Sequence, residues 1–301
     1  MKPKTSFHFE PNISPRYIRP LFLQLESGIW YSSADLRDLL RLNGLPVEGT
    51  NIVKSNTRAW ALLRLLEKKN ENNGGVKVYY KLTDLGKELQ KTYSTNQELF
   101  FDIIHYFMYS AWYRYDNPAF GKFWVYASVC NNLWDQAPGI TDSFEITGLL
   151  QFEAQNIFPQ YEPKFPARSV TAVFTWLGSL TPPFLRKETN RSQLYSRKRE
   201  SCSPQLFHLA LDLLYSQKKL KYGTSMAIGD DDIKIVCRAC LLDENKFWEM
   251  ADRTKMIIRG VDIRRGQYST SIVLEMKPLW IDLPDYSDEI ELEDGDEGEE
   301  R

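Results

Sequence analysis

The stretch between residues 72 and 93 constrains the fold more than any other part of the chain. Asn72-Asn-Gly-Gly75 has the composition of a tight hairpin turn. It leads into Val76-Lys-Val-Tyr-Tyr-Lys-Leu82, where apolar and polar residues alternate as in a strand with one buried face. Thr83 is placed to cap a following helix, and Gly86 would let that helix pack closely against the strand. We therefore predict a β-hairpin that runs directly into a helix ending near Tyr93.

Three helices are predicted ahead of this hairpin, because apolar residues recur there at helical spacing. Ser14 followed by Pro15, and Ser32 or Ser33 further on, are typical helix start signals. The order helix, helix, helix, hairpin, helix resembles that of winged-helix proteins. In addition, Tyr80-Lys-Leu-Thr-Asp-Leu-Gly86 is similar to the Tyr-x-Leu-Thr-x-x-Gly sequence at which the wing ends in many bacterial members of that family. The three predicted helices are 14–28, 32–43 and 55–69.

A succession of helices and a hairpin recurs twice later in the chain, with two helices in the second copy and three in the third. In the second copy, strand-like residues 184–188 and 192–197 flank a short turn. In the third copy, residues 261–263 and 271–276 flank Arg264-Arg-Gly266. We therefore predict a mostly α-helical protein with small β-hairpins (α+β), built from tandem winged-helix units.

An aromatic-rich helical stretch separates the first copy from the second. Its aromatic residues follow no single-face spacing, so we expect a hydrophobic connector packed between the units. A surface on which single-stranded bases stack is the alternative, although few basic residues interleave with the rings. The predicted divisions are 1–95 for the N-terminal winged helix, 96–140 for the helical connector, 141–200 and 201–281 for the second and third units, and 282–301 for a disordered acidic tail.

The net charge of −2 conceals an uneven distribution of charge along the chain. Of the 38 basic and 40 acidic groups, residues 282–301 hold 1 and 11, which gives this tail a net charge of −10. The remaining 37 basic and 29 acidic groups give the body a net charge of +8. A cationic body suits a polyanionic partner, and acidic tails are usually disordered interaction segments. We expect the tail either to be merely solvated or to compete with DNA for the basic surfaces.

No feature of the chain predicts a membrane or secreted protein. Its apolar runs are shorter than the ~18–20 residues that span a bilayer, and no apolar segment follows Met1-Lys-Pro-Lys. Cys237-Arg-Ala-Cys240 lacks a second ligand pair at zinc spacing, so we expect buried thiols of a helix rather than a metal or redox site. We predict a cytoplasmic protein without a metal or other cofactor.

Basic residues lie where a winged-helix protein contacts DNA, on the third helix of each unit and on the wing. Arginine can fork onto a guanine or a phosphate, and lysine neutralises phosphate charge. Each of these residues could equally be solvated surface, and Asn56, Thr57 and Arg58 could form an ordinary first helical turn. Residues 186–199 are denser, with six basic groups against one acid, Glu188. The predicted DNA contacts are Lys54, Asn56, Thr57, Arg58, Arg64, Lys68, Lys69 and Lys77 in the first unit, Arg168, Arg186, Lys187, Arg191, Arg197, Lys198 and Arg199 in the second, and Arg253, Arg264 and Arg265 in the third.

Catalytic motifs are scarce in this sequence. It contains no phosphate-binding loop, no dinucleotide-binding glycine pattern, no nucleophile elbow and no zinc-protease motif. Asp262 and Glu275-Met-Lys277, on two adjacent predicted strands, resemble the metal-binding core of the PD-(D/E)xK nucleases, in which two carboxylates hold Mg²⁺. No Pro precedes Asp262, and we expect an ordinary strand with outward-facing charges.

The broad layout resembles helix-turn-helix proteins of bacterial antiphage systems, including some associated with DNA phosphorothioation. The resemblance rests on Pro15-Arg16-Tyr17, on the Leu-Thr-x-x-Gly wing end and on Trp176-Leu-Gly-Ser-Leu-Thr-Pro-Pro-Phe184. It implies a non-catalytic protein that binds double-stranded DNA as a recognition or regulatory component of a defence or restriction-modification complex. Other protein subunits are then expected as partners. A Mg²⁺-dependent nuclease and a protein–protein adaptor are the alternatives.

Overall fold

In the part of the chain that the structure describes, three small antiparallel sheets are each built in the same way. A first strand of two or three residues is followed by two helices and a β-hairpin, and this first strand pairs with the last strand of the hairpin. The predicted mostly helical architecture with small β-hairpins is therefore confirmed. The short first strands were not predictable, since two or three residues are too few to show alternation. The computed structural model describes residues 7–45, 51–72, 76–115, 120–161, 163–187, 193–267 and 269–279.

The first unit spans residues 31–82 and ends at the predicted junction between strand and helix. The Thr83 hydroxyl accepts a hydrogen bond from the Gly86 amide at 3.0 Å and so caps the next helix. A Cβ on Gly86 would lie 2.3 Å from the Leu65 carbonyl oxygen, which explains why a glycine stands at this close approach. The elements are β1 (Tyr31–Ser32), α1 (Ser33–Leu42), α2 (Ile52–Leu62), β2 (Leu66–Asn72) and β3 (Val76–Leu82), followed by α3 (Asp84–Thr95).

The segment predicted as the first helix instead contains two short 3₁₀ turns, Pro15–Tyr17 and Phe22–Gln24. Ser14 makes no side-chain cap hydrogen bond, so the start signal does not act as predicted. Leu21 and Phe22 are nevertheless fully buried. The apolar spacing therefore identified a core-facing segment correctly but not its conformation.

Helix α2 ends at Leu62, well before the predicted end near Lys69. Arg64 has a φ angle of 57°, a left-handed conformation in which an α-helix does not continue. The chain then enters β2, where Lys68 also lies. The hairpin itself is confirmed, because β2 and β3 pair along their full length; its predicted turn at residues 73–75 lies outside the described residues.

The second and third units repeat this construction with small departures from the prediction. In the second unit, Pro166 occupies the N-cap position of the helix before the hairpin, and the predicted cap Ser169 is buried within that helix. In the third unit, Arg264 and Arg265 lie in a strand rather than in the turn. The second unit contains β4 (Gly139–Thr141), α6 (Ser143–Ile157), α7 (Ala167–Leu177), β5 (Leu185–Lys187) and β6 (Leu194–Ser196); after α8 (Pro204–Gln217), the third contains β7 (Ser225–Ala227), α9 (Asp230–Cys240), α10 (Phe247–Ile257), β8 (Val261–Arg265) and β9 (Thr270–Leu274).

Two long helices, α4 (Gln97–Tyr115) and α5 (Gly121–Gln136), carry most of the aromatic residues of the connector. Phe100, Tyr106 and Phe123 have no exposed surface. The predicted helical, aromatic-rich middle is therefore confirmed, and these rings are not exposed for bases to stack on. Within the described ranges, neither these helices nor any other is apolar over a length sufficient to cross a membrane.

The cysteines lie in the interior, as expected for Cys237 and Cys240 on α9. All four are buried and form no disulfide. Burial raises the pKa of the Cys237 thiol, so this group stays protonated and unreactive at neutral pH.

A buried ion pair joins the central helices to the third unit. The Arg199 guanidinium lies 2.8 Å from the Asp102 carboxylate on α4, and neither side chain has any exposed surface. The guanidinium also donates to the Thr181 carbonyl at 2.7 Å, and the carboxylate accepts from the Ser203 amide at 2.7 Å. The backbone of Arg199 pairs with the chain just beyond α9. Arg199 is thus a structural residue, and its predicted contact with DNA is wrong.

We expect Asp102→Asn to lower the free energy of unfolding by about 3–5 kcal/mol, because it leaves the Arg199 charge buried without a counter-charge. Arg197→Ala removes an exposed ion pair with Glu200 and should cost less than about 1 kcal/mol. Urea unfolding followed by tryptophan fluorescence measures both effects. Equally small losses in the two variants would show that the buried pair does not stabilise the fold.

A buried histidine makes the fold sensitive to acid. The His105 ring shares hydrogen bonds with the Tyr126 hydroxyl at 2.9 Å and the Ala239 carbonyl at 3.0 Å. Burial, together with the nearby charge of Arg199, lowers the pKa of His105 from 6.5 to about 3. Between these two pH values the unfolded state binds more protons than the folded state. Stability that is fully present above pH 6.5 is therefore lost as the pH falls through this window.

We expect His105 alone to lower the free energy of unfolding by about 1.4 kcal/mol per pH unit once the pH is well below 6.5. His208 acts in the same direction, because burial lowers its pKa to about 4. Urea titrations at several pH values between 7.5 and 4 measure the slope. His105→Gln should remove about one proton from those taken up on unfolding, and so make the slope shallower by about 1.4 kcal/mol per pH unit. An unchanged slope in this variant would mean that His105 is protonated in the folded protein.

Candidate nucleic-acid interface

Helix α2 presents one basic face to solvent. Lys54 and Arg58 lie one helical turn apart and are exposed, whereas the three residues between them are buried. Neither cation has an acidic partner among the residues that the structure describes. This face of α2 is therefore open to an anionic ligand.

The predicted base contacts of Asn56 and Thr57 are wrong, because both side chains have no exposed surface. The Asn56 amide donates to the carbonyls of Asn12 and Ile52, each at 2.8 Å. The Thr57 hydroxyl donates to the Val53 carbonyl at 2.8 Å. Both polar side chains are thus satisfied within the protein, and Arg58 is the only member of that predicted triplet that is exposed.

Helix α7 holds the corresponding place in the second unit. Arg168 is exposed in its first turn, and Thr171 and Thr175 follow on the same side of the helix. No acidic partner of Arg168 occurs within the described ranges. The neighbouring Ser169 points inward and shares a hydrogen bond of 2.6 Å with the ring of His8.

The N-terminal segment, residues 7–13, lies between α2 and α7 and contacts both helices. On one side it accepts the hydrogen bond from Asn56 through the Asn12 carbonyl. On the other side, the Trp176 indole N–H donates to the Ile13 carbonyl at 3.0 Å. A part of the same chain therefore fixes the two helices relative to each other.

The charges of Arg58 and Arg168, which lie in different units, affect the pKa values of neighbouring ionisable groups. Glu10 forms an ion pair of 3.0 Å with the buried Lys122. Burial lowers the pKa of Lys122, and the charge of Arg58 lowers it further. Burial likewise lowers the pKa of His8, and the charge of Arg168 contributes in the same direction. Both arginines therefore lie near charges carried by the N-terminal segment or by its partner Lys122. We call the exposed sides of α2 and α7 together the α2–α7 face and define it by Lys54, Arg58 and Arg168.

Sequence reasoning missed the N-terminal segment and the role of Lys122. The alternation of Phe7, His8 and Phe9 was the available signal, since it is typical of an extended segment with one buried face. Phe7 and Phe9 are indeed buried. Lys122 is not available to a ligand, because it is buried and paired with Glu10.

The lysines on the hairpin of the first unit have two different roles. The Lys69 ammonium lies 4.8 Å from the centre of the Trp30 ring and 5.1 Å from that of Tyr79. It is therefore engaged on the outer face of the sheet. Lys68 and Lys77 are exposed and have no acidic partner in the described part of the chain.

The hairpin of the second unit adds two further exposed cations. Arg186 and Lys187 lie on β5, and no described acidic residue pairs with either of them. The predicted contact Arg191 lies outside the described residues. Arg64, the remaining predicted contact of the first unit, is half-buried at the turn after α2.

The predicted basic cluster at residues 186–199 does not form one surface, because its C-terminal part is occupied by internal contacts. Arg197 pairs with Glu200 at 2.6 Å. Lys198 pairs with Glu244 at 3.1 Å, and Arg199 is buried with Asp102. Only the β5 part of the cluster therefore carries exposed cations that lack an acidic partner within the described ranges.

Ion pairs within the third unit neutralise two of its three predicted DNA-contacting arginines. Arg265 pairs with Asp252 at 2.6 Å, and Arg264 pairs with Asp262 at 3.3 Å. Arg253 is exposed, and no acidic partner for it occurs among the described residues. Fewer of the predicted contacts are therefore uncompensated in this unit than in either of the first two.

The residues of the nuclease hypothesis are arranged as ordinary surface charges. The Asp262 carboxylate lies 2.8 Å from the Lys255 ammonium. Its hydrogen bonds to Lys255 and Arg264 hold the pKa of this carboxyl below its usual value. Glu275 and Lys277 follow the end of β9 and are exposed. Within the described ranges, no group of three or more His, Cys, Asp or Glu side chains is placed to hold a metal ion.

The fold is similar to that of a solved structure entitled "SspB crystal structure". The likeness covers 91% of this chain and 81% of that chain, with a TM-score of 0.50 and 10% sequence identity. At this identity it concerns the fold alone. No protein-family model and no curated protein sequence matches the chain.

We expect Asn56→Ala to lower the free energy of unfolding by about 1–3 kcal/mol, because it removes the donor to the Asn12 carbonyl. Lys54→Ala, on the exposed side of the same helix, should change this free energy by less than about 0.5 kcal/mol. Urea unfolding of both variants measures the difference. A neutral Asn56→Ala would contradict the placement of this side chain in the interior.

Proposed function

We propose that this chain binds double-stranded DNA through the α2–α7 face, and that its three repeated units act as winged-helix units. In winged-helix proteins the helix before the hairpin enters the major groove, and the wing contacts the neighbouring backbone. Helices α2 and α7 hold that place in the first two units, because each directly precedes its hairpin. Because the chain also resembles helix-turn-helix proteins of bacterial antiphage systems, we propose a biological role for this DNA binding. The chain serves in the bacterial cytoplasm as a recognition or regulatory subunit of a defence or restriction-modification complex.

The observation that carries the proposal is the placement of cations without an acidic partner among the described residues. In the third unit and in residues 197–199, salt bridges or burial occupy most of the predicted contacts. On the helices and hairpins of the first two units, most predicted contacts are exposed and uncompensated. Such cations bind phosphates favourably, because no internal ion pair has to be broken first. They are Lys54, Arg58, Lys68, Lys77, Arg168, Arg186 and Lys187.

The proposed interface relies on phosphate contacts more than on base contacts. Asn56 and Thr57 are buried and take no part in it. Base recognition is left to Arg58, Arg168 and the exposed Thr171. We therefore propose binding with modest sequence preference, in which charge supplies most of the affinity.

We further propose that the chain does not itself catalyse a reaction on DNA. The Asp262 carboxylate is engaged with two basic side chains, and Glu275 is exposed beyond the end of β9. Incubation of supercoiled plasmid with the full chain and Mg²⁺ or Mn²⁺ tests this point. Nicking that Glu275→Ala abolishes would support the nuclease alternative instead.

We expect the affinity for a fluorescently labelled duplex to fall about 10³-fold between 50 and 200 mM salt, if six of the uncompensated cations contact phosphates. Fluorescence anisotropy with the full chain measures this dependence. Combining Arg58→Ala with Arg168→Ala should make the slope of log affinity against log salt shallower by about 2, since each phosphate contact contributes about 0.9.

Arg265→Ala is the matched control for this pair of substitutions. Arg265 is also an exposed arginine, but Asp252 already neutralises it. The control should leave the salt slope unchanged. No binding at 50 mM salt, or an equal change of slope in the control, would contradict the proposal.

A further inference from the structure

Helix α6 carries an apolar face that nothing in the described part of the chain covers. Phe144 is 78% exposed, Phe152 is 68% exposed and Leu149 is 46% exposed. Ile140, on the preceding strand β4, is 58% exposed. Single apolar residues are common on protein surfaces, but several large ones on one short stretch mark an interaction surface.

These exposed residues are additional to the side of α6 that packs in the protein core. Ile146, Leu150 and Ala154 are buried on that side. On the exposed side, Phe144 and Phe152 lie two helical turns apart, with Gly148 between them, so the three form one stripe along the helix. A helix that is apolar on two sides is typical of a buried element. The second side is therefore expected to have a partner.

We propose that this partner is a second copy of the chain, packed on α6 about a two-fold axis at Gly148. An isologous interface requires a patch that is complementary to itself. Gly148 stands midway between Phe144 and Phe152, and a Cβ built on it would meet nothing within 4 Å. When two α6 helices pack antiparallel about this point, Phe144 of each copy meets Phe152 of the other. The missing side chain at the axis lets the two backbones approach closely.

The exposed apolar area is of the size that a homodimer interface needs. With about 200 Å² for a fully exposed aromatic side chain, Phe144 and Phe152 present roughly 300 Å², and Leu149 and Ile140 add to it. A stable interface buries about 800 Å² per partner, and in homodimers about 65% of this area is apolar. The expected apolar share is thus roughly 500 Å². Glu145, Glu153 and Gln155 are exposed around the stripe and supply the polar rim of such an interface.

Sedimentation equilibrium of the full chain at micromolar concentration tests the proposal. We expect a dimer at both 50 mM and 500 mM salt, because apolar burial is not weakened by screening. Association of the acidic tail of one copy with the cationic body of another would instead be lost at the higher salt concentration. A monomer under both conditions would overturn the proposal.

Two substitutions locate the interface on α6. Phe152→Asp should raise the dissociation constant of the dimer by about 30-fold or more, because it places a charge in the apolar centre. Leu42→Asp introduces the same charge at a leucine on α1 that is 82% exposed, and it should leave the dimer intact. Both side chains are exposed, and circular dichroism confirms that the variants are folded. A dimer that survives Phe152→Asp would contradict the assignment to α6.

Leu149→Cys, next to Gly148, tests the position of the two-fold axis. The native thiols are all buried, so the introduced thiol is the reactive one. Near the axis it meets its counterpart in the second copy. Mild oxidation by a copper–phenanthroline complex then joins the two as a disulfide, with two electrons passing to the oxidant and two protons to the solvent. Cross-linking of Leu149→Cys but not of Leu42→Cys supports the proposed geometry. No cross-linking of Leu149→Cys, or equal cross-linking of both variants, would contradict it.

Discussion

The buried ion pair between Asp102 and Arg199 links the central helices to the second and third units. It ties the central helix α4 to the chain that leaves the second unit, and its carboxylate also holds the start of α8 through Ser203. The desolvation cost of such a pair offsets much of its Coulombic gain, so its main effect is to specify one arrangement. Around this point, α4 contacts α3, α8 and α9, while α5 contacts α6 and α7. The second and third units thus pack directly on these two helices, and the first unit is joined to them through α3.

The N-terminal segment adds a second link, between the first and second units. It accepts hydrogen bonds from α2 and α7 and carries Glu10, which pairs with Lys122 on α5. Two helices from separate repeats are thereby linked through one segment of the chain. A repeated fold alone does not produce this link.

Local features of the fold were predictable from the sequence, and long-range ones were not. The Thr83 cap and the close approach at Gly86 depend on residues within a few positions, and both were predicted correctly. The burial of Asn56 depends on Asn12, and that of Arg199 depends on Asp102, both far away in the sequence. A polar residue that finds such a partner cannot be distinguished, by local pattern alone, from one that faces solvent. For the same reason the salt bridge between Arg265 and Asp252, which lie 13 residues apart, was not predicted.

Hydrogen–deuterium exchange of the full chain, with and without a saturating DNA duplex, tests the proposed interface most directly. Exchange reports the local protection of backbone amides, so each helix that contacts DNA is detected separately. If the α2–α7 face binds DNA, the duplex slows exchange in α2 and α7 and leaves α10 unchanged. Protection confined to α10 and its hairpin, or no protection in any of the three helices, would contradict that interface.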